Sequence, residues 1–511
     1  MAVNDSHRGR RIAKNTLMLY IRMLFILLVS FYTSRVVLEA LGETDYGMYG
    51  VVGGVVAMFT IISGSLSAAI TRFITYEMGK GGEGRLPAVF SSAVTIQIIL
   101  ALIVLLAAEP VGIWFIENHL NISPDRMHAA HWVYQFSLLT FVINIISIPY
   151  HASIVAHERM AAFSVIGIAE GIAKLAVAFL ILRSPIDRLI CYSFLMCAVA
   201  VGVRIAYTKY CRKHFEECRF RFIWDGKLLK QMFSFAGWNF IGVASGALRD
   251  HGGNILMNIF AGTAANAARA LSVQLGGAVQ NFVTNFMTAV NPQITKSYAA
   301  DDKEYTMKLV FRSSKFSFYL LLVLALPVFL NVNPILDLWL DVVPEHTASF
   351  VRLALGLSLS ECISTSLVTL MLATGNIRNY QIIVGGLQLL NLPLSYLLLR
   401  AGFPLESVLV VAIVISQLSL FARLFLLKGM TGLKVGDFIR QVYARQIVIA
   451  ALSFVPSWWL TSLIGQDCLM NVIVSCCLTV LLTLELIYLI GLDSSERDML
   501  TSRIRAFLNR K

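Results

Sequence analysis

Residues 87–108 read Pro87-Ala88-Val89-Phe90-Ser91-Ser92-Ala93-Val94-Thr95-Ile96-Gln97-Ile98-Ile99-Leu100-Ala101-Leu102-Ile103-Val104-Leu105-Leu106-Ala107-Ala108, with no charged residue between Arg85 and Glu109. Crossing the hydrocarbon core of a bilayer takes about 20 apolar residues in a helix, so this stretch is a candidate span. The same reading of hydropathy and helix breakers predicts about fourteen spans in all. They fall at 15–41, 45–77, 87–108, 129–150, 153–182, 187–209, 231–261, 264–298, 306–330, 346–374, 378–400, 404–428, 442–464 and 468–491. Composition agrees: of 511 residues, 57% are hydrophobic and 14% charged, against roughly 45–50% and about 25% in soluble domains. An all-α integral membrane fold is expected, and a soluble enzyme with a buried core is excluded. The basic start runs straight into a long span without a small-residue cleavage site, so no cleavable signal peptide is expected.

The net charge is +12. In a soluble chain such an excess would suggest nucleic acid; in a membrane chain the first explanation is that cytoplasmic loops collect Lys and Arg. With both termini cytoplasmic, the inner connectors and tails hold Arg8, Arg10, Arg11 and Lys14, then Lys209, Arg212, Lys213, Arg219, Arg221, Lys227 and Lys230. They also hold Lys296, Lys303, Lys308, Arg312 and Lys315, Arg423, Lys428, Lys434, Arg440 and Arg445, and Arg497, Arg503, Arg505, Arg510 and Lys511. The outer connectors hold only Arg126, Arg183, Arg188 and Arg400 as bases, beside acids such as Glu43, Asp45, Glu109, Glu117, Asp337, Asp341 and Glu345. Removing one helix would invert every later loop, so charge supports fourteen spans and no nucleic-acid partner.

Of the 8 cysteines, only Cys468 falls at an outer end, and no disulfide framework is implied. Cys211, His214 and Cys218 have loosely ligand-like spacing, but without a fourth partner they read as loop residues, and no metal or cofactor is expected.

A shift of 220 positions places Leu41-Gly42 on Ala261-Gly262, Ala69 on Ala289 and Thr75 on Thr295. The expected organisation is a six-helix bundle at 1–209, a basic linker at 210–230 and a second six-helix bundle at 231–428. Additional helices 13 and 14 lie at 429–491 and a basic tail at 492–511. Such parallel repeats are related by a pseudo-two-fold axis along the membrane normal, with substrate commonly bound at their interface. On span 8, Asn266, Arg269, Gln280, Thr284 and Asn291 fall on one face; the shifted positions Tyr46, Tyr49, Thr60, Gly64 and Thr71 share a face of span 2. A polar stripe along a span lines water, a substrate path or a helix contact. Small residues in span 2 serve close packing equally well, whereas Arg, Asn and Gln on span 8 favour a cavity.

Several bases lie outside any loop. Arg72 and Arg204 near inner ends are expected to snorkel, Arg35 to pair with Glu39, and Arg352 to sit at the interface. Arg269, Arg22 and Arg249 are harder to place, since a charge at a helix centre costs at least ~2.5–3.5 kcal/mol. Arg249 opens the polar run Arg249-Asp250-His251-Gly252-Gly253-Asn254, where a local pair with Asp250 competes with ligand contact. Glu170 and Lys174 have i, i+4 spacing and read as a structural or gating pair; Asp250, Glu361 and Glu485 are further ion-coupling candidates. Arg269 lacks a nearby carboxylate in sequence, and a guanidinium suits phosphate geometry. No His-Glu-x-x-His, Walker loop or large outer loop is present, so no enzyme chemistry is expected.

Asn15-Thr16-Leu17-Met18-Leu19-Tyr20, then Leu41-Gly42 with Tyr46-Gly47-Met48-Tyr49, resembles the N-terminal signature of bacterial polysaccharide flippases. Asn266-Ala267-Ala268-Arg269, Asn285-Phe286 and Asn291-Pro292-Gln293-Ile294 with Lys296-Ser297-Tyr298 resemble Wzx-type O-antigen flippases over the first 300 residues. That superfamily also holds lipid II flippases and MATE drug antiporters. The resemblance implies two six-helix bundles around a central cavity of alternating access, in the bacterial cytoplasmic membrane. Its implied cargo is an undecaprenyl-pyrophosphate-linked oligosaccharide, an O-antigen or capsule repeat unit, turned to the outer leaflet. The implied pyrophosphate contacts are Arg269, Arg22 and Arg249, with Asn266, Gln280, Thr284, Asn291, Tyr46, Tyr49, Thr60 and Thr71 lining the path. Other expected partners are membrane lipids and polysaccharide-assembly membrane proteins, and the chain is expected to be monomeric. Many family members have twelve spans, so the fourteen read here leave helices 13 and 14 open and bring lipid II flippases closer. A MATE-type drug antiporter and a membrane glycan polymerase or transferase remain the alternatives; the first calls for cavity carboxylates, the second for catalytic acids on a large outer loop.

Overall fold

The computed structural model describes residues 2–57, 60–81, 85–119, 122–340, 343–466, 468–494, 496–498 and 501. It is helical throughout, with no β-strand among the described residues. The first eight long elements are α1 (Ala2–Ala57), α2 (Thr60–Gly79), α3 (Leu86–His119), α4 (Met127–Ala156), α5 (Met160–Leu182), α6 (Arg188–His214), α7 (Gly226–Ala299) and α8 (Lys303–Leu330). Further helical stretches run over Thr347–Thr374, Arg378–Arg400, Ser407–Thr431, Val435–Ile464 and Leu469–Gly491.

Among the described residues, 11 helices are long and apolar enough to cross a membrane. The other expected spans, 45–77, 231–261 and 264–298, are not among them: the first is divided between the end of α1 beyond Gly42 and α2, and the other two lie on α7. On α7 polar content explains the shortfall: the run from Arg249 to Asn254 and the Asn, Gln and Arg of 266–291 lower the hydropathy of any window laid over them.

Two of these elements bend. In α1 the break is at Gly42, whose φ of 78° and ψ of 168° suit a residue without Cβ. In α7, Arg269 Nε donates to Asn254 Oδ1 at 2.6 Å. Fifteen residues along a straight helix would separate the two by about 22 Å, so the run turns back between them, where the reading of spans 7 and 8 puts a boundary.

The chain forms two compact units, one of Met1–Val243 with Thr288–Asp301 and one of Ala244–Met287 with Asp302–Lys511. In the first, Val104, Ala108 and Ile116 of α3 pack on Val133, Tyr134, Leu138 and Ile145 of α4 and on Val52 and Val56. Between lipid-immersed helices such packing gains little from expulsion of water; close fit and interhelical hydrogen bonds hold it. Tyr134 supplies one of these, donating its hydroxyl to the Ala108 carbonyl at 2.5 Å. At one end of the unit Arg126 binds both Asp45 and Asp187. Asp187 caps α6 by accepting from the Leu189 and Ile190 amides at 3.0 and 3.1 Å. Burial alone would raise its carboxyl, but the Ile190 amide and the Arg126 guanidinium hold it below the usual carboxylate range. Elsewhere in the unit Glu158, with only 3% of its side chain exposed, binds Arg11 at 3.1 Å and Lys296 at 2.9 Å, and accepts from Gln293 at 2.8 Å.

In the second unit Lys315 of α8 is almost fully buried and binds Asp493 at 2.9 Å and Glu496 at 3.1 Å. Arg312 adds a contact to Glu496 at 3.2 Å, and Arg445 pairs with Asp493. Buried Asn331, beyond α8, donates to Ser475 Oγ at 3.3 Å and to the Pro327 carbonyl at 3.1 Å. These bonds attach the last two helical stretches to α8.

Candidate functional site

On α4, Thr140, Asn144, Ser147 and His151 recur at spacings of four, three and four residues, which brings them to one face of the helix. With Arg22 of α1, Glu170 and Lys174 of α5, and Tyr207 of α6, they line a cavity of about 270 Å³ inside the first unit. The hydroxyls of Thr140 and Ser147 donate to the Phe136 and Ile143 carbonyls, each at 2.7 Å. The Ser147 oxygen in turn accepts from Arg204 Nη1 at 3.3 Å. His151 is braced by aromatic neighbours, its ring centroid 4.6 Å from that of Phe163 and 5.8 Å from that of Tyr207.

Arg22 reaches the cavity across Gly167, where a side chain would collide with it. Its guanidinium carbon lies 4.0 Å above the Phe163 ring. The buried Nε has no hydrogen-bond partner, and among the described residues Arg22 forms no ion pair. The expected pair of Lys174 and Glu170 is formed, Nζ to Oε1 at 2.6 Å, with 42% and 31% of the side chains accessible. A charged pair in mid-helix is costly against lipid; here both residues line the polar cavity.

In the second unit Arg249 is engaged. It binds Asp250 at 2.9 Å, pairs with Glu361 and approaches Gln388 Oε1 at 3.4 Å. Arg269 is 5% exposed; beyond Asn254 it packs against Gly253, and its buried Nη1 has no hydrogen-bond partner. The void bounded by Arg249, Asp250, Gly253, Arg269, Asn391 and Ser395 measures about 10 Å³, room for roughly one water.

The other sequence-predicted residues are spread between the units. Tyr49 stacks edge-on with Tyr192 at 4.9 Å; Tyr46 is exposed and Thr71 half-buried. Thr284 donates to the Gln280 carbonyl at 3.1 Å, Gln280 Oε1 is buried without a partner, and Asn291 is half-buried. The side chains of Thr60 and Asn266 lie outside the described residues. The isolated bases have these contacts. Arg204 bonds the Ile146 carbonyl and, at 3.3 Å, Ser147 Oγ. Arg72 lies over aromatic rings, 4.3 Å from the Tyr76 centroid. The expected pair of Arg35 with Glu39 needs correction. Arg35 and Glu39 are both exposed and form no ion pair among the described residues. The face of α4 was missed, although the spacing of its four polar residues carries the signal.

A helical membrane protein with a cavity that carries charged side chains between the helices of one unit is the class that this fold and site define. The chain belongs to the polysaccharide biosynthesis protein family, whose model matches residues 10–298. No curated protein sequence matches it significantly. Among solved structures it is similar to an outward-facing multidrug resistance MATE family transporter of the MOP superfamily. Identity is 11%, coverage 84% of this chain and 96% of that one, and the TM-score 0.72. A MOP superfamily transporter from Pyrococcus furiosus, described as having a binding pocket of reverse polarity that suggests a different function, is 10% identical. Its match covers 84% of this chain and 96% of that one, with a TM-score of 0.70. A mutant of the Vibrio cholerae MATE transporter VcmN is 16% identical over 84% of this chain and 98% of that one, TM-score 0.67. The fold is thus that of MATE-type transporters.

Proposed function

We propose that the chain is a flippase that carries an undecaprenyl-pyrophosphate-linked oligosaccharide from the cytoplasmic to the outer leaflet by alternating access. In this reading fourteen spans form two six-helix bundles plus two further helices in the bacterial inner membrane, with both termini cytoplasmic. The observation that carries it is the cavity of the first unit, where Arg22 and Lys174 stand against the single acid Glu170. Only the head of such a cargo needs a wet, cationic path, since its lipid tail can remain in the bilayer. Family membership adds the link to polysaccharide assembly.

Arg22 and Arg269 are the proposed contacts for the anionic parts of the cargo. Arg249 joins them when a phosphate oxygen replaces Glu361, its partner in the described conformation. Asn266, Gln280, Thr284, Asn291, Tyr46, Tyr49, Thr60 and Thr71 are the proposed path, and Glu170, Lys174, Asp250 and Glu361 the proposed gating or coupling groups. The MATE-like fold favours one competing reading, export of cationic drugs, for which the basic lining of the cavity is the wrong sign.

Deletion of the gene tests both. Loss of surface glycan, with lipid-linked oligosaccharide accumulating on the cytoplasmic side, is the expected result, restored by the wild-type chain and not by Arg269→Ala at equal abundance. Normal surface glycan in the deletion strain, with drug resistance conferred by expression, would overturn the flippase.

A further inference from the structure

We infer that the connection between α6 and α7 is a membrane-surface anchor: its aromatic residues Phe220, Phe222 and Trp224, with the bases around them, bind anionic phospholipid headgroups at that end of the spans. The inference is independent of what the chain carries. In the proposed topology the leaflet concerned is the cytoplasmic one.

Sequence sets the pattern, Arg219-Phe220-Arg221-Phe222-Ile223-Trp224. The backbone is extended where this stretch begins, at Arg219 (φ −87°, ψ 102°), and just after it ends, at Asp225 (φ −100°, ψ 95°). Successive side chains of an extended chain point to opposite faces, so the three aromatic residues share one face. Phe222 is 73% exposed and Trp224 66%, and their rings are stacked with centroids 6.4 Å apart. Facing water, such a row would be an uncovered apolar patch, which marks a surface that binds something.

The bonds of the connection fix its depth. The Arg221 amide donates to Ser91 Oγ at 3.3 Å, and Ser91 belongs to the span read at 87–108. Cys211, near the end of α6, donates its thiol to the Tyr150 carbonyl at 3.4 Å. Phe215 stacks on His157, in the turn between α4 and α5, at 3.8 Å. The connection therefore runs along the ends of α3 and α4 and does not loop away from them. On its far side Asp225 caps α7 through the Lys227 and Leu228 amides, about 9 Å of helix before the span read from 231. A headgroup layer is roughly 5–8 Å deep, and aromatic side chains collect at that level.

Charge names the lipid. Arg212, Lys213, Arg219, Arg221, Lys227 and Lys230 are all exposed, and none forms an ion pair among the described residues. Of the acids in the connection Glu216 is exposed, Glu217 is buried beside His157, and Asp225 is committed to its cap. Bases at this level are attracted to anionic headgroups, and the attraction fades beyond a Debye length. A zwitterionic surface offers them no such gain. A protein partner would have to enter the headgroup layer to reach the aromatic face.

The test is fluorine NMR of the full-length chain labelled with fluorotryptophan, in nanodiscs of phosphatidylcholine alone or mixed with phosphatidylglycerol. Trp224→Phe identifies the resonance of Trp224. A spin label on the lipid headgroup is expected to broaden that resonance roughly threefold more in the phosphatidylglycerol discs, where a water-soluble gadolinium chelate should broaden it less. Arg219→Gln, Arg221→Gln and Lys227→Gln together should abolish the difference between the discs. If that triple variant does not keep the wild-type melting temperature, Phe222→Ser gives the second reading and should reduce broadening by the lipid label roughly twofold. Equal broadening in the two kinds of disc, or a difference that persists in the folded triple variant, overturns the anionic headgroup as the ligand. A resonance that the chelate reaches and the lipid label does not, in both discs, overturns the anchor and leaves the aromatic face to a protein partner.

Discussion

Gly167 of α5 faces Arg22 of α1 so closely that a Cβ at position 167 would stand 2.2 Å from Arg22 Nε and 3.0 Å from Cζ. The glycine is therefore what lets the guanidinium lie close against the α5 backbone, over the Phe163 ring of the same helix. Gly167→Ala would force Arg22 aside, an overpacking expected to cost about 1–3 kcal/mol. The cost should fall to a few tenths of a kcal/mol in an Arg22→Ala background, since contacting residues are non-additive. Unfolding of the four proteins in detergent gives the cycle, and an equal cost in both backgrounds would contradict the contact.

Glu158 is a buried carboxylate shared by Arg11, Lys296 and Gln293. Glu158→Gln keeps the shape and removes the charge, leaving Lys296 without its counter-ion. Breaking a buried pair from one side costs about 3–5 kcal/mol; with the Arg11 side chain half exposed, the lower end is expected. Glu158→Gln with Lys296→Met should recover part of the loss, because it removes the stranded charge as well. Thermal melting of the single and double variants decides, and a double variant less stable than Glu158→Gln argues against the pair.

How far the sequence discloses this molecule follows from the range of each interaction. Spans such as 87–108 are legible because apolar composition alone sets a bilayer-crossing helix. The stretches 231–261 and 264–298 fall short by the same measure because polar residues along α7 dilute the signal, and 45–77 is divided between the end of α1 and α2. Arg22, Arg249 and Arg269 stand out as charges without a loop to hold them. The pairing of Lys174 with Glu170 is local, four residues along one helix, and can be read directly. Glu361 lies 112 residues from Arg249, and no local pattern joins them. His151 was hidden for another reason: α4 is apolar on average, and only the four-three-four spacing of its polar residues marks a face.

Arg249 has two carboxylate partners of unequal exposure. The Asp250 side chain is 59% exposed and that of Glu361 35%, so water screens the first pair more. Asp250→Asn should cost under about 1 kcal/mol, as exposed pairs do. Glu361→Gln should cost about 1–3 kcal/mol, because the buried guanidinium exchanges a charged acceptor for a neutral one. Chemical unfolding of the two variants ranks them, and a larger loss for Asp250→Asn would reverse the assignment of the principal partner.

Asp493 lies beyond the last apolar stretch, between Arg445 and Lys315. Burial works to raise its carboxyl, but hydrogen bonds from Arg445 and Lys315 and their charges hold it at about 2, below its ordinary 3.8. A carboxylate lowered on folding contributes stability that is fully present above its unfolded value and disappears as pH falls through its folded one. The advantage of the wild type over Asp493→Asn should therefore be constant from neutrality to about pH 5, shrink below about pH 4, and vanish near pH 2. Melting temperatures of the two proteins in detergent across that range make the comparison, in which the other carboxylates cancel. An advantage that grows on acidification would mean that Asp493 is strained by burial rather than held by its two cations.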